Sequence, residues 1–277
     1  MLLGGITAAS LLAAAAFCFG FDAFSSLAWL WMLPVSFAGT WLVLVVIAFV
    51  FLCLICRRVD LDVPQEHDSK FYRRVMYLYI DALISLVLMR VCTRGLENTP
   101  RDGRFLLVCN HQHIADPGVL LAYFKESQLA FISKKENMRL PIINKFLHRI
   151  MCQMLDREDD RQALKVILKC IQLIKDDEVS VGVFPEGYTS KDGKLHHFRS
   201  GVFKIAQKAN VPIVVCTIQG TRELFDNLKR LKRTEVQLHL VGVIPAEELK
   251  GRTAVEIGDR VHKMMADDLG PDKVAED

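Results

Sequence analysis

Charge is almost missing from the first 56 residues: Asp22 is the single charged side chain between Met1 and Cys56. All 35 Lys and Arg and 31 of the 32 acidic residues lie beyond it, so the remainder carries a net charge of +4 with His neutral. So long an uncharged stretch excludes a chain that is water-soluble throughout. Beyond about residue 92 the deficit reverses, and no apolar run is long enough to cross a bilayer, which excludes a many-pass transporter. The eight cysteines show none of the paired spacings of a disulfide framework. Cys53-Leu-Ile-Cys56 lies inside an apolar run with no second pair, so neither zinc nor dithiol chemistry is indicated there. Cys109, Cys152, Cys170 and Cys216 fall in apolar runs, where free Cys acts as a small hydrophobe, as suits a reducing compartment. There is no P-loop, no GxGxxG, no internal repeat and no low-complexity tract, so the usual nucleotide cofactors are not indicated. Apolar residues at 51% exclude disorder.

What is present begins with a membrane end. About 20 helical residues cross a hydrocarbon core at 1.5 Å per residue. Val35–Cys56 meets that length, and the Ala-rich Leu2–Phe19 is the weaker partner of a hairpin that turns at Phe21–Ser26. Arg57 and Arg58 follow at once, which puts that end in the cytoplasm by the positive-inside rule. The pattern predicts a transmembrane hairpin over 1–58 and a polar linker over 59–69. Residues 70–95 form a third piece, with Asp81 among its apolar residues and Lys70, Arg73, Arg74, Arg90 and Arg94 around them. An ionised Asp81 in mid-span is costly, so a helix lying in the membrane interface, its cations toward anionic headgroups, is expected there. A core helix of the following domain is the alternative.

From residue 96 to 277 short β-type runs alternate with helical patterns. Phe105–Cys109, Leu129–Ser133, Cys152–Leu155, Val179–Phe184, Ile213–Ile218 and Val236–Ile244 read as strands, and 118–124, 159–175, 201–209, 221–231 and 246–268 as helices. Over 159–175, Ala163, Val166, Ile167, Cys170, Ile171 and Ile174 recur at helical spacing. Such alternation predicts an α/β domain with a largely parallel sheet flanked by helices, preceded by the N-terminal membrane helices.

Two strand exits carry residues suited to chemistry. The first is Asn110-His-Gln-His-Ile-Ala-Asp-Pro117. Across a strand-to-helix turn, Asp116 can hydrogen-bond one imidazole nitrogen of His111, leaving the other to take a proton from a hydroxyl. Asp116-Pro117 also reads as a helix N-cap followed by Pro at the first helical position. His111, His113 and Asp116 suggest a metal set as well, but no further ligand follows at suitable spacing, so none is assigned. The second exit, Phe184-Pro-Glu-Gly-Tyr-Thr-Ser-Lys-Asp-Gly193, offers Glu186 as an acceptor for substrate hydroxyls and Gly187 for close backbone approach. Lys191, Lys194 and Arg199 add positive potential suited to an oxyanion or phosphate. A third, basic exit runs from Ser133 to Arg139.

Taken together, these segments resemble the glycerolipid acyltransferases typified by 1-acylglycerol-3-phosphate (lysophosphatidic acid) acyltransferases, over roughly residues 70–245. His111 and Asp116 fit that family's HxxxxD; Lys134 and Pro141 fit its second block, and Asp156-Arg157 the next. Phe184-Pro185-Glu186-Gly187 fits the third and Val211-Pro212-Ile213-Val214 the fourth. Two departures stand out: Thr189 occupies a position where the family commonly has Arg, and Asn144 one where Gly often follows the Pro.

The resemblance implies transfer of a fatty acyl group from a thioester to the sn-2 hydroxyl of 1-acylglycerol 3-phosphate, giving phosphatidic acid. In that reading His111 is the general base and Asp116 its orienter. Lys134, Arg157, Glu186, Gly187, Lys191 and Lys194 bind substrate. The implied partners are membrane lipids, the lysophospholipid acceptor, and an acyl carrier protein or coenzyme A thioester as co-substrate. No cofactor, metal or nucleic acid is expected, and the implied location is the cell membrane with the catalytic domain on the cytoplasmic side. Acylation of glycerol 3-phosphate or of a headgroup-bearing lysophospholipid is the runner-up; a metal hydrolase and a non-catalytic lipid-binding protein are the readings from other classes.

The membrane reading has a direct test. Removing residues 1–56 is expected to abolish firm anchoring but leave salt-sensitive binding to anionic vesicles through the Lys70–Arg94 segment, because that attraction is screened within a Debye length. Vesicle sedimentation across a salt series measures it; pelleting that is indifferent to salt contradicts an interfacial location.

Overall fold

In a computed structural model, residues 1–156 and 159–275 are described. They form two compact units, Met1–Val63 and Pro64–Asp277.

The first unit is a pair of helices, α1 (Leu2–Gly20) and α2 (Trp29–Arg57), packed side by side. Ser10, Ala14 and Cys18, four apart, make the buried stripe of α1, so small side chains let the backbones approach. Hydroxyls inside the helices are satisfied locally: Ser10 Oγ donates to the Ile6 carbonyl at 2.8 Å and Thr40 Oγ1 to that of Ser36 at 2.8 Å. Elsewhere the surface is apolar and exposed, with Leu42, Val43, Val46, Ile47, Phe49 and Leu54 all facing outward. Both helices are long and apolar enough to cross a membrane. Water is a poor solvent for such a surface, and lipid a good one.

The second unit begins with α3 (Lys70–Leu86) and β1 (Met89–Arg94), then alternates: β2 (Leu106–Cys109), α4 (Asp116–Tyr123), β3 (Leu129–Lys134), α5 (Ile143–Arg149), β4 (Gln153–Leu155), α6 (Asp160–Lys175) and β5 (Ser180–Val183). It continues α7 (Lys204–Ala209), β6 (Ile213–Gln219), α8 (Leu224–Lys229), β7 (Thr234–Ile244) and α9 (Ala254–Leu269). The strands make one sheet in the order β1-β7-β6-β2-β5-β3-β4. All neighbours are parallel except β6 and β7, which run antiparallel.

Strand β2 is buried along its whole length, as a central parallel strand covered on both faces must be. One face packs on α6 through Val166, Cys170, Ile171 and Ile174, and on α9 through Ile257, Val261, Met265 and Leu269. The Asp159 carboxylate caps α6 by accepting from the Arg161 and Gln162 amides at 3.0 Å each, and Thr253 and Glu256 cap α9 reciprocally. Gly182 in β5 has a packing reason: a Cβ there would lie 2.4 Å from the Phe131 ring. The core thiols are inert, since burial pushes Cys152 up to about 11 and Cys170 up to about 12.

Residues 70–95 differ from the expected helical segment. The helix stops at Leu86, Leu88 takes a positive φ of 54°, and Met89–Arg94 joins the sheet edge beside β7. Strand β1 has only one buried residue, Met89, so its sequence carries little β pattern and its partner supplies the order. Asp81 is reconciled with its apolar neighbours by Lys125, whose Nζ lies 2.6 Å from the carboxylate. Helix α5 was likewise absent from the sequence reading, being a seven-residue helix with one buried side chain, Phe146.

Arg73, held in a buried local ion pair with Asp68, fastens α3 to the domain through two backbone carbonyls. Arg73 and Asp68 side chains are each 4% exposed, with Arg73 Nη2 at 2.7 Å and Nε at 2.8 Å from the carboxylate. The guanidinium also donates to the carbonyls of Leu129 at 2.8 Å and Ile150 at 3.3 Å. Removing one partner leaves the other buried and unpaired, so Arg73→Ala is expected to cost about 3–5 kcal/mol. Chemical denaturation of the detergent-solubilised chain measures this; a change below about 1 kcal/mol would show the pair to be dispensable.

Candidate active site

The register of the sheet brings the motifs together. Val108 of β2 pairs with Val183 of β5, and Cys109 of β2 with Cys216 of β6. All three strands are parallel, so the segments following them leave from the same carboxyl edge, where open α/β sheets present ligands.

Asn110 fixes the start of the first segment. It is buried, donates through Nδ2 to the Ile218 carbonyl at 2.9 Å and accepts from the Ile218 amide at 2.7 Å. His111 follows, its Nδ1 2.9 Å from Asp116 Oδ2. The same oxygen accepts from the backbone amides of Gln112 at 2.6 Å and His113 at 2.7 Å. Asp116 is fully buried, so its charge is held by these donors and not by water. The expectation that Asp116 caps the helix is corrected: Ala115 occupies the cap position, and the carboxylate turns back onto residues 111–113 because that loop presents its N–H groups. Pro117 does lie in the first turn of α4.

The His111 ring stacks on Phe184, centroids 4.1 Å apart and planes at 21°, and Phe184 stacks in turn on Phe131 at 5.6 Å. With Nδ1 engaged and the side chain 15% exposed, Nε2 is the nitrogen available to a reactant. His113 serves differently. Its Nδ1 accepts from the Ala115 amide at 3.3 Å, its ring meets Phe225 edge-on at 4.8 Å, and burial lowers its pKa. Among the described residues no three His, Cys, Asp or Glu side chains converge as a metal site would require.

Glu186 is 1% exposed, and both its oxygens are taken: Oε1 accepts from the His111 amide at 2.8 Å and Oε2 from the His196 amide at 3.2 Å. Glu186 thus positions the His111 and His196 amides. The loop is tied down again where the Ser190 amide donates to the His111 carbonyl at 2.8 Å and Gln112 Nε2 to the Gly193 carbonyl at 3.0 Å. Ser190 Oγ accepts from the Gly193 amide and donates to Asp192, and the Lys194 amide, His196 and Ser190 together hold Asp192 well below the usual carboxylate range.

The remaining sequence candidates are spread out. Lys191 lines an open depression of about 360 Å³ with Tyr188, Thr189, Asp192 and His196. Lys194 is half-buried, its amide bonded to Asp192. Lys134 ends β3 and pairs with Glu136 at 3.1 Å. Arg157 lies outside the described residues. Gly187 has φ +80° and Arg199 packed against it. Sequence reading missed Asn110, Gln112, Phe184 and Ser190 as positioning residues; their nearness to the His and Glu blocks was the available signal.

Burial raises Glu186 to about 7 against the opposing pull of its two backbone donors. A carboxyl raised on folding contributes stability that is full below its unfolded value of about 4.5 and is lost as pH rises through 7. Glu186→Gln is expected to remove that decline and to slow catalysis about tenfold or more, since an NH2 then faces one of the two amide donors. Tm against pH for both proteins tests this; parallel profiles for wild type and variant refute it.

Residues 90–219 match the acyltransferase family. The chain is 34% identical over 158 residues to the chloroplastic 1-acyl-sn-glycerol-3-phosphate acyltransferase of Brassica napus, covering 55% of this chain and 45% of that one. It is 31% identical over 179 residues to a probable 1-acyl-sn-glycerol-3-phosphate acyltransferase of Mycoplasma pneumoniae, covering 63% and 64%. It thus spans about half to two-thirds of the length of these relatives. The fold is similar to the crystal structure of the 1-acyl-sn-glycerophosphate (LPA) acyltransferase of Thermotoga maritima, with TM-score 0.62, 22% identity, and 82% of this chain and 89% of that chain covered. The matched residues, 90–219, hold the His–Asp pair at the carboxyl edge of a mostly parallel sheet and are similar in sequence to the acyltransferase family.

Proposed function

We propose that this protein transfers a fatty acyl group from a thioester, carried by acyl carrier protein or coenzyme A, to the sn-2 hydroxyl of 1-acylglycerol 3-phosphate, giving phosphatidic acid. The observation that carries the reading is the 2.9 Å contact between His111 Nδ1 and the buried Asp116, which leaves Nε2 as the ring nitrogen available to a reactant. The similar proteins named above supply the acceptor class.

Chemically, His111 Nε2 takes the proton of the acceptor hydroxyl as its oxygen attacks the thioester carbonyl. The new C–O bond forms, the C–S bond breaks, and the proton passes from the imidazolium to the departing thiolate. Asp116 stabilises that imidazolium and fixes the tautomer in which Nδ1 carries the proton. The donor is already activated, so no acyl-enzyme is required. Gln112 and His113 amides are engaged by Asp116, so oxyanion stabilisation has to come from other donors at the sheet edge.

Acceptor and product both carry acyl chains, and a membrane-anchored enzyme avoids moving them through water. In this reading the two apolar helices anchor the protein, and Arg57 and Arg58 set the catalytic unit on the cytoplasmic side. The exposed Phe71, Leu78, Leu83 and Leu86 of α3, with Lys70 and Arg74, contact the membrane interface.

His111→Ala is expected to lower acyl transfer by at least about 10²–10⁴-fold with the fold intact. Asp116→Asn should be comparably severe, because the amide no longer holds the imidazolium and presents NH2 or a weaker acceptor to three donors. Thioester-dependent formation of phosphatidic acid from lysophosphatidate, followed on purified protein, measures both. Near-normal turnover by folded His111→Ala would sink the mechanism, and a wild-type protein active only on another acceptor would overturn the substrate.

A further inference from the structure

A phosphomonoester acceptor brings about two negative charges to the sheet edge, and cations must meet them. Those at the mouth of the site are not equivalent. Lys134 is paired with Glu136, and Lys135 with Asp156 at 3.1 Å. Lys191 and Lys194 flank Asp192, whose carboxylate is ionised well below neutrality. Two arginines are placed differently. Arg199 lies across Gly187, its Cδ and Nε each 3.0 Å from where a Cβ on that glycine would sit. Arg222 lies across Gly193, its Nη1 3.0 Å from the corresponding point there.

Both glycines are one step from His111. Gly187 follows Glu186, which accepts from the His111 amide. The Gly193 carbonyl accepts from the side chain of Gln112, the residue after His111. Between them Ser190 donates to the His111 carbonyl. Arg222 comes from the β6 exit, the third strand leaving at this edge, in the turn Thr221–Glu223. Both arginines are exposed, and neither guanidinium has a carboxylate or hydrogen-bond acceptor among the described residues. An arginine held against a glycine with no acceptor on its guanidinium can receive a bidentate anion.

We infer that Arg199 and Arg222 form the clamp for the acceptor's phosphate, gripping it from both ends of the Glu186–Lys194 loop. The inference rests on the acceptor proposed above, and it assigns the headgroup to two residues outside the loop and not to its lysines. Thr189, on the depression with Tyr188 and His196, then needs no charge of its own.

The test is steady-state kinetics of the full-length protein in detergent with lysophosphatidate as varied acceptor, and glycerol 3-phosphate as a headgroup-only inhibitor. Arg199→Gln and Arg222→Gln should each raise the acceptor KM about tenfold, the size of one charge-assisted contact, with kcat within about threefold of wild type. Inhibition by glycerol 3-phosphate should weaken in parallel, and Arg222→Lys should recover part of the loss. The inference is overturned if both Gln variants keep the wild-type KM, if kcat falls at constant KM, or if only Lys191→Ala and Lys194→Ala raise it. A wild-type protein that does not acylate lysophosphatidate overturns the proposed function itself, and that result is read on the unaltered chain.

Discussion

Asp116 is completely buried, and the cost of keeping a carboxylate out of water dictates what surrounds it. No lysine or arginine pairs with it among the described residues. One oxygen instead gathers three donors, two of them backbone amides of the loop that carries His111. The amides hold the carboxylate in place, and the carboxylate in turn holds the loop in the curvature that turns the His111 ring outward. Site geometry and local stability are one constraint here, because the donors gathered on Asp116 Oδ2 also aim the imidazole, while the buried Oδ1 has no partner among the described residues.

A second buried carboxylate repeats the device from the neighbouring strand. Glu186 binds the His111 amide and the His196 amide, so the segment after β5 is locked to the segment after β2. The aromatic column reinforces this: Gly182 admits Phe131, Phe131 lies on Phe184, and Phe184 on His111. A side chain at 182 would displace the bottom of that column. The position of the His111 ring is thus set by packing that begins in the sheet interior.

The two units solve opposite solvent problems. Residues 1–63 leave apolar side chains outside and satisfy their hydroxyls within the helices. Residues 64–277 bury the apolar side chains and satisfy buried polar ones by long-range contacts, such as Arg73 with the Leu129 and Ile150 carbonyls and Asn110 with Ile218.

The sequence by itself determined the anchoring helices, the strand–helix alternation and the His111–Asp116 pair. Each depends on composition, periodicity or a spacing of five residues, all local properties. Tertiary structure decided the rest. Strand β1 has one buried side chain and exists because β7 offers it a parallel edge. Asp81 looked like a misplaced charge until Lys125, 44 residues on, came within 2.6 Å. Glu186 read as a ligand for substrate because its partner, a backbone amide 75 residues earlier, carries no sequence signal. Arg222 lay outside every motif, and only the parallel register of β6 with β2 and β5 put it at the same edge as His111. Long-range pairing of strands brings such residues together, and no local pattern encodes which side chains will then meet.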